Sequence, residues 1–274
     1  MKISTGYSPC PNDTFIFYAM THNKLSPDLE FSETLKDVET LNRLALQKVF
    51  DVTKASFHGF GFLRDDYCLL HSGSALGRGC GPLIVARNGT GQQELSSKKI
   101  AIPGKMTTAY LLLQLFAPDA KNIVEMPFDR IMNAVSMGAV DAGLIIHESR
   151  FTYPRYNLVK VMDLGEWWEN ETGLPIPLGG ILARRDLGAT VIGKIDGLIR
   201  QSLEYAIRNP EETVKYIKKN AQELDDDVIE QHIRLYVNDY TRDLGDGIAA
   251  VEKLLKTAED LKLIPHSEKT IFVD

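Results

Sequence analysis

Short apolar runs alternate with amphipathic helical patterns along the first half of the chain. Residues 1–7 and 52–55 have the pattern of strands, and the near-continuous apolar run 82–86 is typical of a strand covered on both faces. Between these runs, apolar residues recur at helical spacing, for example in 38–45 after the potential N-cap Asp37. Strands that alternate with helices of this length predict parallel sheets built from βαβ units.

A second block of the same kind follows the glycine-containing segment 88–91, and a helical region follows the second block. The second block has predicted strands at 99–102, 123–126 and 142–146 and predicted helices at 107–117 and 130–137. In the helical region, a long helix is predicted from about 192 to 209, and further helices begin near Pro210, Asp225 and Gly245.

Two α/β blocks followed by helices predict two lobes, with the chain crossing from one to the other and back. The crossings are expected at 88–91 and 174–180. They give a larger, discontinuous lobe of residues 1–88 and 180–274 and a smaller α/β lobe of residues 89–179. Ligands are expected in the cleft between the lobes, at strand carboxyl ends and helix N-termini.

Composition excludes several classes of protein. The 274 residues contain 31 lysines and arginines against 37 aspartates and glutamates, so the formal net charge is −6. Without a basic run, the chain lacks the electrostatic signature of a nucleic-acid binder. No stretch approaches the roughly 18 apolar residues that a membrane span needs. The sequence therefore predicts a protein that binds neither nucleic acid nor membrane.

The first residues and the cysteines bear on the compartment. The chain starts on a strand pattern and shows no apolar h-region of a secretory signal, which favours a cytoplasmic protein. Cys10, Cys68 and Cys80 are widely spaced and odd in number. We therefore expect three free thiols in a reducing compartment.

The common catalytic and cofactor motifs do not occur. Gly104-Lys105 is followed by Met106, so the phosphate-binding P-loop pattern fails, and there is no G-x-S-x-G elbow. The six histidines show no metal-ligand spacing. The sequence itself indicates no metal or nucleotide cofactor.

Two loops could hold an anionic ligand at a helix N-terminus. Residues 8–13 follow the first strand and open a helix that Asn12 or Asp13 could cap. Cys10 in this loop has no neighbouring base that would make it a nucleophile. In residues 103–108, a glycine turn leads into a helix that starts with Thr107 and Thr108, whose hydroxyls could add donors for a carboxylate or phosphate. Simple helix capping is the alternative for both loops.

His147 directly follows the predicted buried strand 142–146. That position suits a general base in an α/β ligand site, although a structural histidine is the alternative. Lys54, Ala55 and Ser56 end an earlier strand and are expected to face the cleft. The other histidines are weaker candidates: we expect His22, His232 and His266 to be solvated, and His58 and His71 to lie nearer the cleft.

Trp167 and Trp168 are the remaining candidates. The pair could stack on a ring of the ligand, but packing beneath the second crossing is favoured.

Several segments together resemble the 1,4-dihydroxy-6-naphthoate synthases, which act late in the futalosine route to menaquinone. The resemblance lies in Gly6-Tyr7-Ser8-Pro9-Cys10-Pro11-Asn12-Asp13-Thr14-Phe15, Ser72-Gly73-Ser74-Ala75-Leu76-Gly77, Gly79-Cys80-Gly81-Pro82-Leu83, Pro103-Gly104 with Thr107-Thr108, and Gly143-Leu144-Ile145-Ile146-His147-Glu148-Ser149-Arg150-Phe151-Thr152-Tyr153. The opening loop and the segment around His147 are its most specific parts.

The resemblance implies an α/β fold of the periplasmic-binding-protein type II class, used as an enzyme. It implies a lyase that cleaves cyclic dehypoxanthinyl futalosine, a small anionic substrate, to 1,4-dihydroxy-6-naphthoate and dihydroxyacetone without a metal or organic cofactor. The family's catalytic histidine corresponds to His147, its paired threonines to Thr107 and Thr108, and its strand-end substrate contacts to Lys54, Ala55 and Ser56.

Two alternatives have the same fold class. One is a solute-binding protein for a small organic anion, which needs an anion site but no base. The other is the chorismate dehydratase of the same pathway. The opening loop and the His147 segment favour the synthase. The sequence leaves the oligomeric state, the hinge and any proton-transfer groups besides His147 open.

Overall fold

The computed structural model describes residues 1–25, 28–87, 90–221 and 225–273. The chain forms two compact units, Met1–Leu76 with Pro177–Asp274, and Gly77–Ile176. The predicted crossing at 88–91 includes Asn88 and Gly89, which lie outside the described residues. The lobe boundaries drawn from the sequence stay predictions.

Eleven strands and twelve α-helices are found in the described residues. The strands are β1 (Lys2–Tyr7), β2 (Glu30–Leu35), β3 (Val52–Ser56), β4 (Tyr67–Leu69), β5 (Ala75–Gly77), β6 (Leu83–Ala86), β7 (Ile100–Ile102), β8 (Ile123–Glu125), β9 (Ala142–Ile145), β10 (Val159–Asp163) and β11 (Ile176–Arg184).

The helices are α1 (Pro11–Thr21), α2 (Val38–Leu46), α3 (Phe57–Gly61), α4 (Thr108–Phe116), α5 (Phe128–Ser136), α6 (Ser149–Thr152), α7 (Leu164–Thr172), α8 (Ala189–Arg208), α9 (Pro210–Asn220), α10 (Asp226–Tyr236), α11 (Asp239–Arg242) and α12 (Ile248–Asp260). Short 3-10 helices lie at Gln92–Ser97, Tyr153–Tyr156, Arg185–Leu187 and Gly245–Gly247. The predicted cap at Asp37 is confirmed, since its side chain accepts a hydrogen bond from the backbone N–H of Thr40 at 3.0 Å.

The first unit contains a six-stranded sheet in the order β2-β1-β3-β11-β4, with β5 paired to β11. Strand β1 is parallel to β2 and β3, whereas β11 is antiparallel to β3 and β4. The prediction of wholly parallel sheets is therefore wrong for this unit. Residues of α1 and α8 contribute to the apolar core beside the sheet, among them Phe17, Ile195 and Leu203.

The second unit contains a five-stranded sheet in the order β10-β6-β9-β7-β8. Strands β7, β8 and β9 run parallel, but β6 is antiparallel to both β9 and β10, so this sheet is mixed as well. Apolar residues of α5, among them Ile131 and Val135, pack on it. A Cβ built on Gly143 would lie 2.5 Å from Ile131 Cγ2, so only glycine lets α5 approach β9 this closely.

Across the described residues, every helix is too short or too polar to cross a bilayer.

Candidate functional site

In the first unit, the carboxyl ends of two parallel strands lie at the same edge of the sheet. Strand β1 pairs with β3 through Thr5 opposite Val52 and Gly6 opposite Thr53. The loop that follows β1 and the start of α1 therefore lie beside the end of β3, which carries Lys54, Ala55 and Ser56. Such an edge is where open α/β sheets bind ligands.

Lys54 is a buried cation with a defined set of acceptors. Its side chain is 6% exposed, and its Nζ donates to the backbone oxygen of Gly73 at 2.8 Å and lies 3.3 Å from Asp13 Oδ1. An ammonium has three N–H donors, and in the part of the chain that the structure describes only these two acceptors are within reach. Lys54 can therefore still donate one hydrogen bond to a ligand.

Asp13 organises the loop after β1 and does not cap helix α1. Its Oδ2 accepts hydrogen bonds from the hydroxyl of Ser8 at 2.7 Å and the backbone N–H of Ser8 at 3.3 Å, and its Oδ1 accepts from Asn12 Nδ2 at 3.0 Å. The N-cap residue is Cys10, whose side chain makes no capping hydrogen bond. The expectation that Asn12 or Asp13 caps this helix is therefore wrong, because both side chains turn to other buried polar groups.

The end of β3 is fixed by Asn42 of helix α2. The backbone N–H of Ser56 donates to Asn42 Oδ1 at 3.0 Å, and Asn42 Nδ2 donates to Ser56 Oγ at 3.3 Å. On the other side, a Cβ at Gly179 would lie 2.5 Å from the carbonyl oxygen of Ala55, so β11 approaches the strand closely only because it carries glycine there. These contacts fix the position of the strand-end backbone between α2 and β11.

His232 of helix α10 is fully buried, whereas the sequence predicts that it is solvated. Its Nε2 lies 2.9 Å from Asn12 Oδ1. The polar pattern of the helical region does not reveal this contact, since Asn12 is 220 positions away. By contrast, His266 is exposed as expected.

In the second unit, the candidate residues again follow neighbouring parallel strands. Strand β7 pairs with β9 through Ile100 opposite Ala142 and Ala101 opposite Gly143. The turn after β7 leads to Thr107 and helix α4. The turn after β9 carries His147. The second sheet thus brings both to one edge.

Thr107 is the N-cap of helix α4. Its Oγ1 donates to the backbone oxygen of Gly104 at 2.7 Å and accepts from the backbone N–H of Tyr110 at 3.2 Å. The Thr107 hydroxyl proton is therefore already used, and the backbone N–H groups of the first turn are donors that this helix end can offer an anion. Thr108 is the first helical residue and is buried.

His147 occupies an unusual backbone conformation two residues after the end of β9. Its φ is +56°, in the left-handed region that few non-glycine residues adopt. The imidazole packs edge-on against Phe128, with ring centroids 5.2 Å apart, and the residue is partly exposed. Backbone conformations of this kind cost energy and concentrate at functional sites.

The segment after His147 is tied to the rest of the unit by Arg150. Its guanidinium donates to the backbone oxygen of Gly81 at 2.6 Å and to Asp163 Oδ2 at 2.7 Å. The sequence does not single out this arginine, because its partners lie 69 and 13 positions away in the chain.

The cysteines and one of the tryptophans are buried. Cys10, Cys68 and Cys80 form no disulfide, as predicted, and all three lie in the interior. Trp168 is buried and donates from Nε1 to the backbone oxygen of Pro175 at 3.1 Å, which agrees with the packing interpretation. Trp167 lies edge-on against Phe116, with ring centroids 5.5 Å apart.

The remaining histidines lie in the first unit, and His58 is buried there. His71 stacks on Phe272, with ring centroids 4.0 Å apart. Within the described ranges, no three His, Cys, Asp or Glu side chains are grouped as a metal site would need.

Comparison with known proteins identifies close relatives along nearly the whole chain. Residues 3–260 match the model of a protein family described as "Menaquinone biosynthesis". The chain is 51% identical over 269 residues to the 1,4-dihydroxy-6-naphthoate synthase of Thermus thermophilus, covering 98% of each chain. It is 45% identical to the enzyme of the same name from Streptomyces coelicolor, covering 96% of this chain and 95% of that one.

Solved structures show the fold class. A crystal structure of a protein from Archaeoglobus fulgidus has a TM-score of 0.91 at 42% identity, covering 96% of this chain and 98% of that one. A Candida albicans protein with the generic periplasmic-binding-protein fold has a TM-score of 0.67 at 16% identity, covering 98% and 92%. The architecture is therefore the periplasmic-binding-protein-like fold that the sequence predicts.

Proposed function

Because this chain belongs to the menaquinone-biosynthesis family and is an enzyme akin to the 1,4-dihydroxy-6-naphthoate synthases, we propose that it converts cyclic dehypoxanthinyl futalosine to 1,4-dihydroxy-6-naphthoate and dihydroxyacetone. The observation that carries the proposal is the 51% identity over nearly full length to a synthase of that name. The segment around His147, with its left-handed backbone after a buried strand, supports it.

His147 is assigned as the general base. The imidazole is partly exposed, and its ring is oriented by Phe128. Once this base removes a proton from the cyclised sugar adduct, a carbon–carbon bond breaks, and formation of the aromatic dihydroxynaphthoate drives the step. The reaction class is therefore that of a carbon–carbon lyase.

Two sets of groups are assigned to substrate binding. In the second unit, the N-terminus of helix α4 at Thr107 and Thr108 suits the substrate carboxylate through backbone N–H groups and the helix dipole. In the first unit, Lys54, Ala55 and Ser56 supply the remaining contacts, with Lys54 offering its uncommitted N–H.

The rival function, a receptor for a small organic anion, would need the anion site but no base. The 51% identity to a synthase favours the enzyme over this receptor. The Candida albicans protein is only 16% identical to this chain and shows the fold alone. Both relatives are named 1,4-dihydroxy-6-naphthoate synthase, which favours that function over chorismate dehydratase. As an enzyme of this biosynthesis, the protein is proposed to act in the cytoplasm.

One assay separates these functions. Purified protein is incubated with cyclic dehypoxanthinyl futalosine, and 1,4-dihydroxy-6-naphthoate is followed by chromatography, with a parallel incubation on chorismate. Product from the first substrate alone is expected. Absence of turnover on both, combined with tight binding of another anion, would establish the receptor instead.

A further inference from the structure

A chain of buried polar groups joins helix α10 to strand β3 within the first unit. His232 Nε2 is 2.9 Å from Asn12 Oδ1, and Asn12 Nδ2 is 3.0 Å from Asp13 Oδ1. The same Asp13 oxygen lies 3.3 Å from Lys54 Nζ. All four side chains are less than one-tenth exposed, so the chain of contacts is shielded from water.

The hydrogen-bond direction along this chain is fixed by chemistry. The Asp13 carboxylate can only accept, so Asn12 must present its NH₂ group to it. The Asn12 carbonyl oxygen then faces His232, whose Nε2 must carry a proton and donate. Each group therefore orients the next, from His232 through Asn12 to Asp13.

Donors and acceptors are unequal at the two ends of the ion pair. Asp13 receives four donors on its two oxygens: the backbone N–H and hydroxyl of Ser8, Asn12 Nδ2 and the Lys54 ammonium. Lys54 has only two acceptors among the described residues. A buried ammonium that lacks an acceptor costs free energy, and a buried ion pair is weak evidence for a stabilising role.

The lack of a third acceptor for Lys54 has a functional explanation, which rests on the proposed role of Lys54 in binding the substrate. We propose that Asp13 is a positioning residue that aims the third N–H of Lys54 at an acceptor oxygen of the anionic substrate, and that His232 positions Asp13 through Asn12. Two of the three ammonium N–H groups of Lys54 are directed at Gly73 and Asp13. The direction of the third N–H group is therefore already set before the substrate binds.

The proposal predicts coupling between Asp13 and Lys54 in substrate binding. Lys54→Gln, Asp13→Asn and the double variant are assayed on cyclic dehypoxanthinyl futalosine, with thermal melts to verify folding. Each single variant is expected to raise KM about tenfold, the value of one charge-assisted hydrogen bond, with kcat changed less than about threefold. The double variant should match Lys54→Gln, because Asp13 acts only through Lys54.

The failures are distinguishable. Absence of turnover by the parent protein would overturn the proposed function itself. Turnover by the parent with an unchanged KM in Lys54→Gln would remove Lys54 from substrate binding. An altered KM in Lys54→Gln but not in Asp13→Asn, or effects that multiply in the double variant, would overturn the positioning role alone. A fall in kcat without a rise in KM would overturn it too.

Three further variants change the groups that hold Asp13, and thermal melts again verify folding. His232→Gln can retain a donor toward Asn12, whereas His232→Leu cannot. KM should stay near the parent value for His232→Gln and rise about threefold or more for His232→Leu. Ser8→Ala removes one donor to Asp13 and leaves the ion pair, so it should raise KM less than Asp13→Asn. A KM for His232→Leu equal to that of the parent would refute the positioning role of His232.

Discussion

Asp163 binds Arg150 with one carboxylate oxygen and caps a helix with the other. Its Oδ2 is 2.7 Å from the Arg150 guanidinium, while its Oδ1 accepts from the backbone N–H groups of Gly165 and Glu166 at 2.9 and 3.1 Å. Since Arg150 also donates to the backbone oxygen of Gly81, one ion pair links β10, α7 and the loop before β6 to the short helix that follows His147. The conformation of the His147 segment therefore depends on a residue 16 positions later in the chain.

Asp163→Ala should destabilise the protein strongly. The change removes the helix cap and leaves the Arg150 guanidinium, only 17% exposed, without its counter-ion. Breaking one side of such a buried pair costs about 3 kcal/mol or more. Denaturant unfolding measures the loss. The matched control is Asp186→Ala, which removes the partner of Arg184 at a side chain 62% exposed and should cost less than about 1 kcal/mol. Equal losses in the two variants would contradict the role assigned to Asp163.

His147→Asn tests the catalytic assignment. Asparagine tolerates the left-handed backbone at this position, so the fold should persist, but it cannot accept the substrate proton. We expect kcat to fall about 10²–10⁴-fold with substrate binding retained. Steady-state kinetics and calorimetric binding measure the two effects. His266→Asn, at an exposed histidine near Glu259, is the control and should behave like the parent. Near-normal turnover by His147→Asn would end the assignment.

Thr107→Val separates capping from ligand binding. The hydroxyl bridges Gly104 and Tyr110, so its loss should cost about 1 kcal/mol of stability through the helix cap alone. Because the cap also orders the N–H groups assigned to the substrate carboxylate, KM should rise more than kcat falls. Thr107→Ser keeps the hydroxyl and should restore both quantities. A kcat defect with normal KM would instead indicate a role in the chemical step.

Local sequence signals predicted what is local in the structure. Strands such as β1 and β3, the cap at Asp37 and the position of His147 after β9 all depend on neighbouring residues. The antiparallel insertion of β11 between β3 and β4 could not be predicted, because strand direction is set by how distant segments pack.

The polar contacts of the candidate site show the same limit. The ion pair of Asp13 with Lys54 depends on the pairing of β1 with β3, and His232 reaches Asn12 only after the C-terminal helices have packed. The pattern of charged and apolar residues within one segment therefore cannot predict that Asp13 pairs with Lys54 or that His232 contacts Asn12.

Gly143→Ala should destabilise the second unit. The added methyl carbon would lie 2.5 Å from Ile131 Cγ2 and 2.8 Å from Val135 Cγ2, so helix α5 would have to move away from β9. Overpacking of this kind costs typically about 1–3 kcal/mol. Gly193→Ala is the matched control: it lies inside α8 with open space around the new Cβ, and should stabilise by about 0.5–1 kcal/mol. Thermal unfolding of the two variants should therefore shift in opposite directions, and an unchanged or raised unfolding temperature of Gly143→Ala would show that the close approach is unimportant.

Stability should fall at alkaline pH because several buried acids hold their protons in the folded state. Burial raises the pKa of the Tyr7 phenol, and its neighbours Tyr216 and Glu33 add to the effect. Burial also raises the pKa of Tyr216, and it raises the pKa of the Cys80 thiol to about 12. Unfolding returns tyrosine to a pKa near 10 and cysteine to about 8.5.

The sign of the effect follows from proton linkage. Above about pH 8.5 for Cys80 and about pH 10 for the tyrosines, the folded state binds more protons than the unfolded state. The stabilisation is fully present below those values and is lost as pH rises toward the folded-state pKa, by up to about 1.4 kcal/mol per pH unit for each buried group. Urea unfolding at pH 8, 9, 10 and 10.5 should show this decline. Tyr216→Phe removes one titrating group, so its free energy of unfolding should decline less steeply above pH 10 than that of the parent. Parallel declines would exclude Tyr216 from the linkage.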